Sequence, residues 1–162
     1  MKRVTIYTDG ACQGNPGPGG YGVVLIYGNA RKELSAGYRC TTNNRMELTA
    51  LTKALQALRE PCQVEIISDS RYLLDALTQG WMAKWKRNGW RTVTKQPVRN
   101  RDLWEELDRL LARHETCHRW VKGHAATAEN NRCDALAVAA CRASALLVDE
   151  PYEAETASPS PD

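Results

Sequence analysis

Val64-Glu65-Ile66-Ile67, closed by Ser68-Asp69-Ser70, is the stretch that decides the fold. It is short and almost wholly apolar, as a strand buried on both faces must be, and it stops at turn-forming residues. Before it, Arg45 to Arg59 carries Leu48, Leu51, Leu55 and Leu58 at helical spacing, and Pro61 ends that run. After it, a helix is expected through Leu77. A strand set between helices joins its neighbours by crossovers, and crossovers demand a parallel portion of sheet.

Towards the N-terminus the pattern changes. Val4 to Thr8 alternates and halts at Asp9-Gly10, and Gly14-Asn15-Pro16-Gly17-Pro18-Gly19-Gly20 cannot continue a regular element. Further strands are expected over Tyr21 to Tyr27 and Lys32 to Tyr38, with a turn near Gly28-Asn29. Three strands with short links form an antiparallel meander. Towards the C-terminus, a basic tract is amphipathic as far as Gly89 and looped beyond it. Asp102 to Arg113 reads as a helix, Cys117 to Val121 as a fifth strand, Lys122 to Thr127 as a loop, and Glu129 to Leu147 as an alanine-rich helix. The order is βββαβααβα, to within one helix. The fold class is α/β: a single domain over residues 1–148, with a five-stranded mixed sheet flanked by helices.

Composition sets the outer limits. At 162 residues and 43% hydrophobic the chain fills one core. No apolar run of signal-peptide length follows the basic start, and Ala135 to Val148 is too short and too polar to span a bilayer. A cytoplasmic protein is expected. The six cysteines form no CxxC pair and read as reduced thiols, and His114, Cys117 and His118 match no zinc-ligand spacing. The net charge of +3 is uneven: seven cations and no acid lie between Gly80 and Arg101, and five acids with no base lie from Asp149 onward. The first block calls for a polyanionic partner. The second, residues 149–162 with its prolines and serines, reads as a disordered acidic tail.

Four acids stand where chemistry is expected. Asp9 and Asp69 each end a strand, and if those strands are parallel neighbours both reach the sheet edge where open α/β folds bind ligands. Glu47 shares a helix face with Leu51, Ala54 and Leu58, and Asp134 lies on the side of Ala137, Val138 and Cys141, so both charges aim inward. Each also has a plainer explanation. Asp9 can serve as a turn acid, Asp69 as a helix cap, Asn44-x-x-Glu47 as a capping box, and Asp134 as an exposed helical acid. Together, however, clustered acids need a counter-charge. Oxygen-only ligands suit Mg²⁺ or Mn²⁺, and a pair of such ions can cleave a phosphodiester.

The tract holding Trp81, Lys84, Trp85, Lys86, Arg87 and Trp90 pairs cations for phosphates with aromatic faces for sugars or bases. Core packing is the expectation for Trp81 and Trp104, and an exposed or half-exposed contact for Trp85 and Trp90. His124, in a glycine-containing loop, is either structural or a proton carrier beside the acids.

Thr8-Asp9-Gly10-Ala11-Cys12-x-Gly14-Asn15-Pro16-Gly17-Pro18-Gly19-Gly20-Tyr21-Gly22 resembles the opening of bacterial ribonuclease HI, of the type 1 ribonuclease H family. So do Thr41-Thr42-Asn43-Asn44-Arg45-Met46-Glu47-Leu48, Ser68-Asp69-Ser70 with Tyr72, Trp120-Val121-Lys122-Gly123-His124-Ala125, and Glu129-Asn130 through Arg132-Cys133-Asp134. These blocks run in order from about Lys2 to about Ala143. The resemblance implies a ribonuclease H-like fold and an endonuclease that hydrolyses the RNA strand of RNA–DNA hybrids, leaving 5′-phosphate and 3′-hydroxyl ends. It implies that Asp9, Glu47, Asp69 and Asp134 hold two Mg²⁺ ions and that His124 aids proton transfer or product release. It places Cys12, Asn15, Asn43 and Asn44 at the hybrid's minor groove, Thr42 and Asn100 at a DNA phosphate, and Trp81 to Lys95 in a basic protrusion. A monomer is expected.

The sequence departs from the best-known pattern at four places. Cys40 stands where an arginine is common, with Arg39 adjacent as a substitute. Arg71 replaces a glutamine, Asn131 replaces an acid, and Gly80 is an extra residue. A non-catalytic hybrid-binding module and a related resolvase- or transposase-like nuclease are the competing functions. The Thr-Thr-Asn-Asn-Arg-Met-Glu block and the basic tract favour the hybrid nuclease.

Overall fold

The computed structural model describes residues 1–122 and 127–157. The meander expected at the N-terminus is formed by β1 (Lys2–Cys12), β2 (Gly17–Tyr27) and β3 (Ala30–Thr41), joined by short turns. Then follow α1 (Asn43–Gln56), β4 (Cys62–Ser68), α2 (Arg71–Thr78), α3 (Trp81–Arg87), α4 (Arg101–Leu111), β5 (Glu115–Trp120), α5 (Ala128–Cys141) and α6 (Glu150–Ala157). The five strands lie in the order β3-β2-β1-β4-β5. β1 pairs antiparallel with β2 and parallel with β4, and β4 pairs parallel with β5. The mixed α/β sheet read from the sequence is therefore the sheet observed.

Burial follows the pattern that called for it. Ile66 and Ile67, which point to opposite faces of β4, are both fully buried. On one face, the α1 stripe of Leu48, Leu51 and Leu55 packs with Trp104 and Leu107 of α4 against Ile6, Val23 and Ile66. Each such leucine stabilises the fold by about 2 kcal/mol. On the other face, α5 lies across β1 and β2 through Cys133, Ala137 and Ala140.

The chain after α5 differs from the expectation. The alanine-rich helix ends at Cys141, not Leu147. Leu147 instead joins the open edge of β3, donating its N–H to Gly37 O at 2.8 Å and accepting from Arg39 N at 2.9 Å. Satisfying an exposed strand edge outweighs further helical turns. Nor is the acidic stretch from Asp149 the disordered tail read from its composition, because residues 150–157 form α6. Asp149 itself is buried against Arg45, whose Nε lies 2.7 Å from Oδ2. A partner that distant in sequence is invisible to composition. Residues 158–162 lie outside the described residues.

Candidate active site

Strand register brings the first two acids together. Parallel pairing of β1 with β4 runs as far as Tyr7 opposite Ile67. Asp9 and Asp69 each lie two residues beyond that pair, where the parallel pairing stops; β1 does not halt at Asp9 as its sequence suggests but continues to Cys12 paired with β2. Asp9 points to the α5 face, opposite Gly22 of β2. Asp69 does not cap α2: Ser70 does, its Oγ accepting from Leu73 N at 3.1 Å. Likewise the cap of α1 is Thr42, which accepts from Arg45 N, rather than a box formed by Asn44 and Glu47. Both acids are thereby relieved of the plainer roles open to them.

Two glycines let the helices bring in the other acids. A Cβ at Gly10 would stand 2.7 Å from the backbone N of Glu47, so only glycine allows α1 to press its acid onto the end of β1. A Cβ at Gly22 would stand 2.2 Å from the carbonyl O of Cys133, the residue before Asp134. Asp9 thus has one acid-bearing helix resting on its chain neighbour and the other on its cross-strand partner.

The carboxylates of Asp9, Glu47 and Asp69 offer ligand oxygens that all lie within 4.8 Å of one another. With Asp134, Gly10, Asn43, Asn44 and Arg71 they line a cleft of about 480 Å³. Burial, then the charge of Asp69, pushes the Asp9 carboxyl up to about 7, against an opposing hydrogen bond from Gly10 N at 2.9 Å. Burial, followed by the charges of Asp9 and Asp69, raises Glu47 well above the usual carboxylate range. Glu47 Oε2 is buried and has no hydrogen-bond partner among the described residues. An unsatisfied carboxylate oxygen aimed into an all-oxygen cluster fits a hard divalent cation.

Of the residues expected to meet substrate, Asn43 and Asn44 line this cleft, and the others lie outside its lining. Asn15 and Asn43 are joined, Asn43 N donating to Asn15 Oδ1 at 3.0 Å, and Asn44 lines the cleft beside them. Cys12 Sγ lies 3.5 Å from the carbonyls of Gly17 and Thr41. Asn100, before α4, donates to Tyr72 Oη at 3.1 Å, and Arg45 holds its carboxamide oxygen at 3.4 Å. Trp81 is 38% exposed rather than in the core, whereas Trp104 is fully buried as expected. Trp85 is half-buried, its ring centroid 5.4 Å from Trp104 and 6.2 Å from Trp81. Trp85 is thus half-exposed as expected, and Trp81 is left outside the core because α3 is anchored on α4 through Trp85. Lys84 and Arg87 are exposed, Lys86 pairs with Asp108 at 3.2 Å, and half-buried Trp90 packs on the core. His124 lies outside the described residues.

The sequence profile of the RNase H family matches residues 1–142. The chain belongs to the ribonuclease H family. It is 62% identical over 143 residues to a ribonuclease H of Moorella thermoacetica, spanning 88% of this chain and 94% of that one. LC9-RNase H1, a type 1 RNase H with the type 2 active-site motif, superposes with a TM-score of 0.80 at 32% identity, covering 99% of this chain and 83% of that one. LC11-RNase H1, solved in complex with RNA/DNA hybrid, superposes with a TM-score of 0.63 at 26% identity, covering 86% and 96%. As a ribonuclease H the chain is an endoribonuclease, a hydrolase.

Within this ribonuclease H, the departures from the common pattern have structural addresses. Arg39, the candidate substitute at Cys40, is held bidentately by Glu153 of α6 at 2.8 and 2.9 Å. Asn131 and Arg71 both line the acid cleft. Gly80 adopts φ 76° immediately before α3, so the extra residue makes the left-handed turn that starts the protrusion. Sequence reasoning missed Arg45 as an organiser. It is 2% exposed and binds Asp102 and Asp149 together, and nothing local in Asn-Asn-Arg-Met-Glu distinguishes it from a surface cation.

Proposed function

We propose that this ribonuclease H cuts the RNA strand of RNA–DNA hybrids endonucleolytically by a two-metal-ion mechanism, leaving 5′-phosphate and 3′-hydroxyl ends. The observation that carries the reading is the convergence of Asp9, Glu47 and Asp69 within 4.8 Å, with a buried Glu47 oxygen unpartnered among the described residues. Asp9, Glu47, Asp69 and Asp134 would hold two Mg²⁺ ions, for which Mn²⁺ is a chemical substitute. When bound, these ions activate water and stabilise the leaving oxygen.

The chain's own residues do the rest. The close seating of α1 and α5 on β1 and β2 fixes the carboxylates before substrate arrives, so little reorganisation is needed. Asn43 and Asn44, with Cys12 and Asn15, face the minor groove, where 2′-hydroxyls distinguish RNA from DNA. Thr42 and Asn100 hold a DNA phosphate, and Trp81, Lys84, Trp85, Lys86, Arg87 and Trp90 grip the same strand without reading bases. His124 carries a proton or assists product departure. The catalytic domain, residues 1–148 with the segment 149–157 packed on it, acts as a monomer in the cytoplasm; among the described residues no helix is long and apolar enough to cross a membrane.

The test is cleavage of a labelled hybrid with and without Mg²⁺. Parent protein cuts only the RNA strand and only with the ion, and Asp9→Asn binds hybrid but does not cut. An Asp9→Asn protein that cuts at the parent's rate refutes the assignment.

A further inference from the structure

The acid cleft contains one cation that the reaction described above does not use. Of the described residues lining it, Arg71 alone is basic, and Asp9, Glu47, Asp69 and Asp134 line the same cleft. A bare acid cleft repels a phosphodiester chain, so a cation built into its wall has a direct consequence for substrate entry.

Arg71 is held by its place on α2 and by one stacking contact. It is the first residue of α2, whose start is capped by Ser70. Its guanidinium carbon stands 3.8 Å from the centroid of the Trp120 ring, a close stack on the indole face. Trp120 in turn donates its indole N–H to the backbone carbonyl of Asp69 at 3.2 Å. The platform under the guanidinium is therefore bonded to the residue that presents a cluster carboxylate. Stacking engages the face of a guanidinium and leaves the in-plane N–H donors free, in a fork that matches two phosphate oxygens. Pre-orienting that fork removes much of the entropy that an exposed arginine loses on binding.

We propose that Arg71 is a substrate-binding residue that grips an RNA-strand phosphate neighbouring the one seated over the acids. The proposal rests on the hybrid-cleavage reading. The RNA strand is selected because the backbone cut at the acids is the one that runs through the cleft Arg71 lines, while the basic protrusion is assigned to the DNA strand. The contact recognises phosphate, so it adds affinity without base preference.

Steady-state cleavage of a labelled hybrid at saturating Mg²⁺, over a series of salt concentrations, tests this with Arg71→Gln and Arg71→Lys. The glutamine variant is expected to raise KM by about tenfold to a hundredfold, the range of one charged hydrogen-bonding contact, with kcat within about twofold of the parent. Its plot of log KM against log salt becomes shallower by about 0.7–0.9, one phosphate contact fewer. Lysine, which keeps the charge but not the stacked fork, restores part of the affinity and the full slope. An unchanged KM and slope overturns the proposal. So does a shifted Mg²⁺ requirement with normal KM, which would make Arg71 a mere counter-charge. Hybrid affinity measured by fluorescence anisotropy in the Asp9→Asn background gives a second reading independent of turnover. Loss of affinity there supports the contact even if the parent fails to cleave, an outcome that would sink the functional reading alone.

Discussion

Glu47 concentrates the conflict between stability and chemistry in one side chain. It is 4% exposed, its Oε2 has no partner among the described residues, and two other carboxylates face it. Without a cation this is an expensive arrangement. Glu47→Gln is expected to stabilise the metal-free protein by about 1–3 kcal/mol in urea denaturation at pH 8, while lowering cleavage at least a hundredfold. A variant as active as the parent, or less stable than it in EDTA, contradicts this. The pH dependence follows from Asp9. Its carboxyl, raised from 3.8 to about 7, binds a proton in the folded state that the unfolded chain has released. Stability of the metal-free protein therefore falls as pH rises from about 4 to about 7. Added Mg²⁺ should raise Tm more at pH 8 than at pH 5, and equal gains at both would argue against ion binding at these acids.

At the scale of elements, the close approach of helices to the sheet positions the acids. Gly22→Ala places a methyl 2.2 Å from the Cys133 carbonyl, against backbone that cannot rotate aside. A cost of about 1–3 kcal/mol is expected, together with reduced cleavage as α5 and Asp134 shift outward. Normal activity with normal stability would show that α5 tolerates the displacement. Much of this level was legible in the sequence. Alternation marked β1, the Leu48–Leu51–Leu55 stripe marked α1, and Asp9 and Asp69 marked the sheet edge, although β1 runs past Asp9 to Cys12 because its pairing with β2 continues there. What escaped depended on partners elsewhere. Thr42 rather than Asn44 caps α1 because the cap is set by backbone geometry at the end of β3. Trp81 is exposed rather than in the core because Trp104, on α4, is reached by Trp85 instead, which is half-buried as expected. The end of α5 was misjudged because alanine carries no stop signal and the competitor was the open edge of β3.

The whole molecule is tied together at Arg45. From the start of α1 its guanidinium reaches Asp102 of α4 at 2.8 Å and Asp149 at 2.7 Å, and Asp149 also accepts from Thr41 Oγ1 at 2.7 Å. Tyr152 of α6 lies over the same guanidinium, 5.8 Å from ring centroid to carbon. The C-terminal segment thus completes a largely buried ion cluster, so an end at Val148, natural from composition, removes a structural member. Truncation after Val148 is expected to cost about 2–4 kcal/mol in urea denaturation at pH 7, since Arg45 keeps only its partly exposed partner. A truncated chain as stable as the full one would return residues 149–157 to the status of an appendage.

One measurement bears most directly on the central claim that the acids form a binuclear metal site. Crystals grown with Mn²⁺ and measured near the manganese absorption edge should show two anomalous peaks among the carboxylates of Asp9, Glu47, Asp69 and Asp134. Carboxylates found apart, with no anomalous density between them at saturating Mn²⁺, would contradict it.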